Sequence, residues 1–497
     1  MAKYDILREP WLPLLKKDDK LEKVGLMDAL KNAHDYAEVV GENPLETASI
    51  LRLLIAFLMD AYRLENTGDR KRLYKAGQFD GQLFEDYVTR CIDEGASFDL
   101  FDEKRPFMQS AYDKEIDKEQ KPVAVLSHAL PSGNNHTHFD HRLETEHVLT
   151  TAQCLPKILA SYVFACAMTQ GYPSSVNGTP CFYIFCNGET LFETLVFNMM
   201  SSAEMPKNKM GEPAWRSKAT VTPKEQRAAV SILEAMTFMP RRVTLVPPDN
   251  DGYMRKVYFQ QGLNFSKEGS WEDSHVACKR NKKGELYTLK PDTSRACWRD
   301  LGTLAANNED KGANVQPPVI RQLGNVTDSE AIVDLQMFGL VTNKAKYEDW
   351  IQDRLRVPYQ ILEEYDLGAQ LRKDIDAIES VARIVHWAAA SMNFKKADKK
   401  DEFALQIQAR FFDAMHRYLF GNYLKKLSKA DVTSDEWTKP LIEDLNNQLQ
   451  KASNEALTSA TERLGFSARG MEAAATALRF AAFRRGKILR EREWWNE

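Results

Sequence analysis

The sequence predicts an α+β protein, a large mixed N-terminal domain over residues 1–362 followed by a C-terminal four-helix bundle over 363–497. Up to Pro358, short apolar runs of strand length alternate with helical stripes and are separated by Gly, Pro and Asn-Gly turn signals. Beyond Pro358 the pattern changes to long stretches at helical spacing with polar breaks and no strand signal. At 497 residues the chain is long enough for more than one core.

Taken in order, Tyr4–Leu15 reads as a short strand in which Pro10 and Pro13 bracket Trp11. Asn43-Pro44-Leu45-Glu46 opens a helix, with a capping residue, a proline in the first turn and an early acid. Ala48, Leu51, Leu54, Ile55 and Leu58 give that helix a broad apolar stripe, which implies a core position. Gln82–Cys91 reads as a second helix, and Arg105-Pro-Phe-Met-Gln109 as an aromatic loop. Thr150–Thr169 is a buried helix through Leu155, Ile158, Tyr162, Phe164 and Cys166. It ends in the loop Gln170–Pro180, which leads to a strand, Cys181–Cys186, an Asn187-Gly188 turn and a helix, Thr190–Met200. Glu204–Arg227 is polar, and Thr244–Leu245 and Tyr253–Phe259 are short strands. Asn281-Lys-Lys-Gly284 is a hairpin turn between 275–280 and 285–290. Ile332–Phe338 is a strand running into a small-polar tip at Gly339–Ala345. In the bundle, Leu371, Ile375, Ile378, Ala382, Val385 and Ala389 mark the first helix, and Leu405–Leu424, Trp437–Leu449 and Met471–Leu489 the others.

Composition removes several classes. A formal net charge of −4 excludes a globally basic nucleic-acid binder but leaves room for a local basic patch, because binding depends on where charge lies. Seven cysteines form no Cys-x-x-Cys pair and sit in apolar surroundings, as free thiols in a reducing compartment do. The first residues are too charged and proline-broken for a signal peptide, and no run of about 18 apolar residues occurs. The expectation is a cytoplasmic protein with no membrane contact.

Four stretches carry chemistry. His136-Thr-His-Phe-Asp-His141 fits H-x-H-x-D-H, the motif that holds two zinc ions in metallo-β-lactamase-type hydrolases. On that reading His136, His138, Asp140 and His141 form a dinuclear zinc hydrolase or nuclease with metal-activated water as nucleophile. Zinc needs three or four ligands per ion, however, and after His147 the next histidine is His275. The same stretch also reads as a plain surface loop, or as a polar and aromatic loop ordered by nucleic acid. The loop Gly171–Gly178 is either a connector or a place where backbone N–H groups approach a phosphate or groove edge with no Cβ in the way. The hairpin tip with Lys279, Arg280, Lys282 and Lys283 is either a solvated edge or a reach toward phosphates. Arg484, Arg485 and Lys487 on the last helix are either a solvated face or phosphate contacts.

The order of the words Trp11-Leu-Pro13, Arg105-Pro-Phe-Met-Gln109, Gly133-Asn-Asn-His-Thr-His-Phe-Asp-His141, Gly171…Gly178-Thr-Pro180 and Leu191-Phe-Glu-Thr-Leu195 resembles a known family. Pro240-Arg-Arg-Val-Thr-Leu245, Trp298-Arg-Asp-Leu301 and Asn343-Lys-Ala345 continue the match across nearly the whole chain. The family is the large subunit of the type I-E CRISPR surveillance complex, Cascade. The resemblance implies a non-catalytic, RNA-guided antiviral subunit without cofactor or metal. It would recognise the protospacer-adjacent motif on double-stranded DNA, start strand separation and help recruit a helicase-nuclease. Its implied partners are CRISPR RNA, target DNA and the backbone and small subunits of the complex; base pairing with the guide reads sequence and protein contacts license where pairing begins.

Residue by residue, Gly171, Asn177 and Gly178 look like the family's glycine loop, which approaches the motif from the degenerate minor-groove side. Lys279, Lys282 and Lys283 look like the source of a minor-groove lysine. Asn343, Lys344 and Ala345 look like the wedge that parts the first base pairs. Better-known members have glutamine where this chain has Lys344, whose stem fills space while its charge prefers phosphate. Asn134, Asn135, His136, His138 and Phe139 look like the loop that docks onto the RNA handle and backbone subunits, by hydrogen bonds and stacking.

Overall fold

The computed structural model describes residues 2–128, 147–167, 171–178, 180–205, 209–217, 221–228, 231–266, 273–306, 314–328, 330–343, 346–392, 397–464 and 468–494. The chain forms two compact units. The first comprises Met1–Cys297, Gln316–Thr327 and Asp334–Leu355, and the second Trp298–Val315, Asp328–Val333 and Arg356–Glu497. Mixed strands and helices precede a C-terminal bundle, as the sequence predicts.

The first unit is built around the helix Pro44–Tyr62, in which every residue from Leu45 to Asp60 is buried. Its start follows the sequence signal: Asn43 caps it by accepting from the backbone N–H groups of Leu45 and Glu46, and Pro44 fills the first turn, where no N–H partner is needed. A helix apolar on all sides must be enclosed, and each large side chain so buried contributes roughly 1.5–3 kcal/mol. The N-terminal strand is shorter than the sequence suggests, Leu12–Lys16, between Leu21–Val24 and Tyr36–Val39 in an antiparallel sheet. Residues before it turn instead, because the Asp5 side chain accepts from the Leu7 N–H and the Asp5 carbonyl from the Arg8 and Glu9 N–H groups.

The helix expected over Thr150–Thr169 also stops early, spanning Thr151–Val163. Tertiary donors take its last carbonyl and two that follow: the Tyr183 hydroxyl donates to Val163 O, the Ser175 N–H to Ala165 O and the Arg241 guanidinium to Cys166 O. The expected strand after the loop is Tyr183–Asn187. It pairs antiparallel with Ile332–Asn343, which pairs on its other edge with Lys346–Pro358. That strand runs past Phe338 and through Gly339, where the sequence predicts its end. A Cβ at Gly339 would lie 2.8 Å from Pro291 and 3.0 Å from the Phe182 ring, so the glycine permits close packing rather than ending the strand.

In the second unit the long helices are Tyr365–Met392, Ala397–Tyr418, Asp435–Leu464 and Ala468–Trp494. Their apolar stripes, among them Leu371, Ile378, Val385, Ile407, Phe411, Leu445, Leu449 and Ala481, are buried against one another. Asp374 is enclosed at their centre, accepting from the Tyr423 hydroxyl at 2.5 Å, Arg492 at 2.6 Å and Gln370 at 2.9 Å. A π-helical turn, Leu419–Tyr423, brings Tyr423 to that carboxylate. The motif word Trp298–Leu301 packs onto the same bundle: Trp298 stacks on His416, and Arg299 pairs with Glu379 and lies 3.8 Å above the Phe412 ring. Among the described residues no helix is long and apolar enough to cross a membrane.

Candidate nucleic-acid interface

Three of the stretches singled out in the sequence meet at one residue of the first unit, Tyr183. Below the glycine loop, the Asn177 side-chain amide donates to the Tyr183 hydroxyl at 3.1 Å. At the root of the basic hairpin, Val276 makes a bridge with Tyr183, the Ile184 N–H donates to His275 O and the Phe182 N–H to Leu289 O. On the other side, Tyr183 is the register partner of Phe338, on the strand that ends at Asn343. A buried tyrosine, with backbone pairings on both sides of its strand and a side-chain bond from Asn177, is therefore the common footing of the glycine loop, the basic hairpin and the strand pair Ile332–Asn343 and Lys346–Pro358.

The glycine loop is a closed turn. The Gly178 N–H donates to Ser175 O at 2.9 Å, and the Ser175 hydroxyl donates to Gly178 O at 3.1 Å. Gly171 and Gly178 both have φ of +80°, a backbone conformation that penalises any Cβ. Their surroundings differ. A Cβ at Gly171 would meet the Gln261 amide at 3.3 Å, whereas at Gly178 it would meet nothing within 4 Å. Gly178 thus presents no side chain toward open space, while its own N–H and C=O are bonded to Ser175.

Beneath the loop lies a charged pair that the sequence reading did not single out. Arg52, on the central helix, donates through both terminal nitrogens to Asp273, at 3.0 and 2.9 Å, and stands 4.7 Å over the Tyr183 ring. Asp273 also accepts from the His275 N–H at 2.9 Å and from Asn177 at 2.8 Å. Burial alone would raise the Asp273 carboxyl, but the Arg52 charge and these hydrogen bonds hold it down at about 2. Burial pushes His275 down to about 3, so the imidazole is neutral. The one hint in the sequence is Arg52 itself, a cation inside the apolar run Leu51–Leu58.

The basic hairpin has the expected turn: Asn281 Oδ1 accepts from the N–H groups of Lys283 and Glu285, and Gly284 takes φ of +81°. Register pairs Lys279 with Tyr287 and Arg280 with Leu286. Lys282 and Lys283 are exposed, and so are Leu286 and Tyr287 beside them. Asn343 is exposed at the end of its strand, while Lys344 and Ala345 lie outside the described residues. So do Asn134, Asn135, His136, His138 and Phe139, together with Asp140 and His141. At the edges of that segment, His128 is buried 5.1 Å from the Tyr347 ring and pushed by burial down to about 3. Among the described residues no group of three or more His, Cys, Asp or Glu side chains is placed to hold a metal ion.

On the last bundle helix the basic row divides. Arg484 is exposed and lies 5.4 Å from the Phe480 ring, and Lys487 is exposed with Glu491 3.8 Å away. Arg485 corrects the sequence expectation. It occupies the buried stripe with Ala481 and Leu489, donates to Ser453 and to Asn454 on the neighbouring helix, and has no free face for a phosphate. Helical spacing gives the reason for Arg485: residues 474, 477, 481, 485 and 489 share the inward face, which places 487 on the outer side and 484 at the border, where it is exposed.

The family model described as CRISPR-associated protein Cse1 matches residues 5–456. A CRISPR-associated protein CasA/Cse1 from Thermus thermophilus is 28% identical over 381 residues, covering 73% of this chain and 72% of the relative. Among solved structures, Cse1 of Thermobifida fusca superposes with a TM-score of 0.80 at 20% identity, covering 98% of each chain. A chain in a structure described as a CRISPR RNA-guided surveillance complex gives a TM-score of 0.69 at 16% identity, covering 98% of this chain and 100% of that one. At these identities the structural likenesses concern the fold.

Proposed function

Because this chain belongs to the CRISPR-associated Cse1 family, we propose that it is the large, non-catalytic recognition subunit of an RNA-guided complex of the Cascade type. In this reading it recognises a short motif on double-stranded DNA, opens the adjoining base pairs and presents a surface to a helicase-nuclease. The observation that carries the reading is the common footing at Tyr183. A bare-backbone turn, a lysine hairpin and a strand pair leading to Asn343 share one rigid base, the arrangement needed to hold three probes in register on one stretch of duplex. Minor-groove readout is degenerate, so tolerance for several related motifs follows. Lys282 and Lys283 supply phosphate or groove contacts, Asn343 with Lys344 and Ala345 the wedge, and Arg484 and Lys487 further phosphate contacts. The segment with Asn134, Asn135, His136, His138 and Phe139 docks onto the RNA handle and the backbone subunits.

The test is duplex binding by the complex reconstituted with guide RNA and its other subunits, with and without this protein, on duplexes carrying randomised flanking motifs, in EDTA. Motif-selected binding that requires this chain and survives EDTA is the expected result. Binding without motif preference overturns the recognition role. Loss in EDTA that zinc restores revives the dinuclear reading of His136, His138, Asp140 and His141.

A further inference from the structure

We propose that Asn177 acts as a positioning residue: it ties the glycine loop to the buried Arg52–Asp273 pair, so that the interior of the first unit sets how the loop meets duplex DNA. This inference rests on the loop reading above and goes a step below it.

Three observations carry it. First, the Asn177 amide nitrogen is engaged inward, on Asp273 at 2.8 Å and on the Tyr183 hydroxyl at 3.1 Å, and these two bonds use both of its hydrogens. Second, the acceptor is immobile. Asp273 is gripped by both terminal nitrogens of Arg52 and by the His275 N–H, and Arg52 belongs to the helix at the centre of the unit. A hydrogen bond to a fixed, ionised acceptor is about twice as strong as a neutral one. Third, apolar side chains of the same volume stabilise an interior at least as well as a buried ion pair does, so packing alone gives no reason for one here. Fixing the height of the turn at Gly178, one residue beyond Asn177, gives a reason.

The charge also explains why the loop can be glycine-rich and still precise. Two glycines at φ of +80° leave the backbone permissive, and the turn's own bonds join only Ser175 and Gly178. Arg241 holds the Pro173 carbonyl and the Ser175 N–H donates to Ala165 O; Asn177 adds the link next to Gly178, to Asp273. A loop that must approach a groove edge without side chains needs its rigidity from beneath.

The experiment uses the reconstituted complex with Asn177→Ala, Asp273→Asn, the double variant and Gly178→Ala. Each is measured for affinity toward a duplex with the selected motif and one with a scrambled motif, alongside assembly and thermal denaturation. Asn177→Ala is expected to lower motif-dependent affinity about tenfold, the scale of one charge-assisted hydrogen bond, with scrambled-duplex binding and assembly unchanged. Asp273 is buried, with its carboxylate bonded to Arg52, His275 and Asn177, so Asp273→Asn should reproduce that loss, and the double variant should lose no more than the larger single. Where Asp273→Asn does not fold, Tyr183→Phe takes its place: it removes the second acceptor together with the hydroxyl's bond to Val163 O, so its thermal denaturation is compared with that of Asn177→Ala. If Asn177→Ala loses discrimination while the folded Asp273 or Tyr183 variant keeps it, Asn177 is a direct contact and the proposal is overturned. If Gly178→Ala loses discrimination and Asn177→Ala does not, the proposal fails while the loop reading stands. If neither changes it, the loop reading falls and takes the proposal with it.

Discussion

Each unit buries an aspartate against an arginine at the heart of a wider network, Asp273 with Arg52 and Asp374 with Arg492, and these two pairs behave differently. In the first unit Asp273 faces both terminal nitrogens of an enclosed Arg52, and its carboxyl is held down at about 2. In the second, Asp374 receives a single bond from Arg492, whose side chain keeps some exposure, and desolvation wins: its carboxyl is pushed up despite Arg492, Tyr423 and Gln370. What surrounds them differs too. Asp273 touches Asn177 and the segment carrying the lysine hairpin, whereas the groups on Asp374 come from bundle helices and the π turn. The contrast separates a buried charge that supports surface loops from one that fixes helix register.

The sharpest way to break this contrast is to neutralise each aspartate. Asp273→Asn leaves an enclosed Arg52 without its counter-charge, and loss of one partner of such a pair costs about 3–5 kcal/mol. Asp374→Asn keeps the shape, and desolvation already disfavours the charge on Asp374, so the expected loss is smaller, about 1 kcal/mol, one hydrogen bond's worth. Urea denaturation of the two variants measures both. Equal losses would show that the pairs are energetically alike and that the difference in their geometry has no thermodynamic weight.

Acid should pull the two units in opposite directions. His128 and His275 are neutral inside the first unit, pushed by burial from 6.5 to about 3. Their folded-state values lie below the unfolded ones, so the unfolded chain takes up protons first. The stability from keeping them neutral is complete above pH 6.5 and is lost as pH falls toward 3, by about 2 kcal/mol per histidine at pH 5. Asp374 has the opposite sign: its folded-state value is raised, so a penalty present at neutral pH is relieved on acidification. Hydrogen exchange resolved by peptide, corrected for intrinsic rates and compared between pH 7 and pH 5, should show opening in the first unit and none added in the bundle. Uniform opening across both would sink the assignment of the acid-sensitive groups.

Much of this architecture was legible because local signals and burial agreed. Asn43-Pro44 placed the central helix, Asn281…Gly284 placed the hairpin turn, and the spacing of Leu371, Ile375 and Ile378 placed the first bundle helix. Where the reading missed, a distant partner had overridden a local pattern. The helix at Thr151 stops at Val163 because Tyr183, Ser175 and Arg241 take its last carbonyl and two that follow, and Gly339 stays in its strand because Phe182 and Pro291 press on it. The candidate interface was legible as separate words, but its common footing was not. Tyr183 reads as one more strand residue, and Asp273 carries no local pattern that links it to Arg52, 221 positions away.

The smallest expected effect tests the bundle's outward face. Arg484 and Lys487 are exposed and sit on neither buried network, so substituting them should leave stability within about 0.5 kcal/mol of the parent. If they meet phosphates, each Ala variant should weaken duplex binding equally on every sequence and flatten the plot of log affinity against log salt by about 0.9. Arg484 should show the fuller effect, because Glu491 lies 3.8 Å from Lys487 and competes for its charge. Arg485→Ala is the control that separates the two faces. It removes an inward guanidinium bonded to Ser453 and Asn454, so it should destabilise the bundle and leave the salt slope of the folded complex unchanged. A slope that moves with Arg485 but not with Arg484 would reverse the assignment of inner and outer face on this helix.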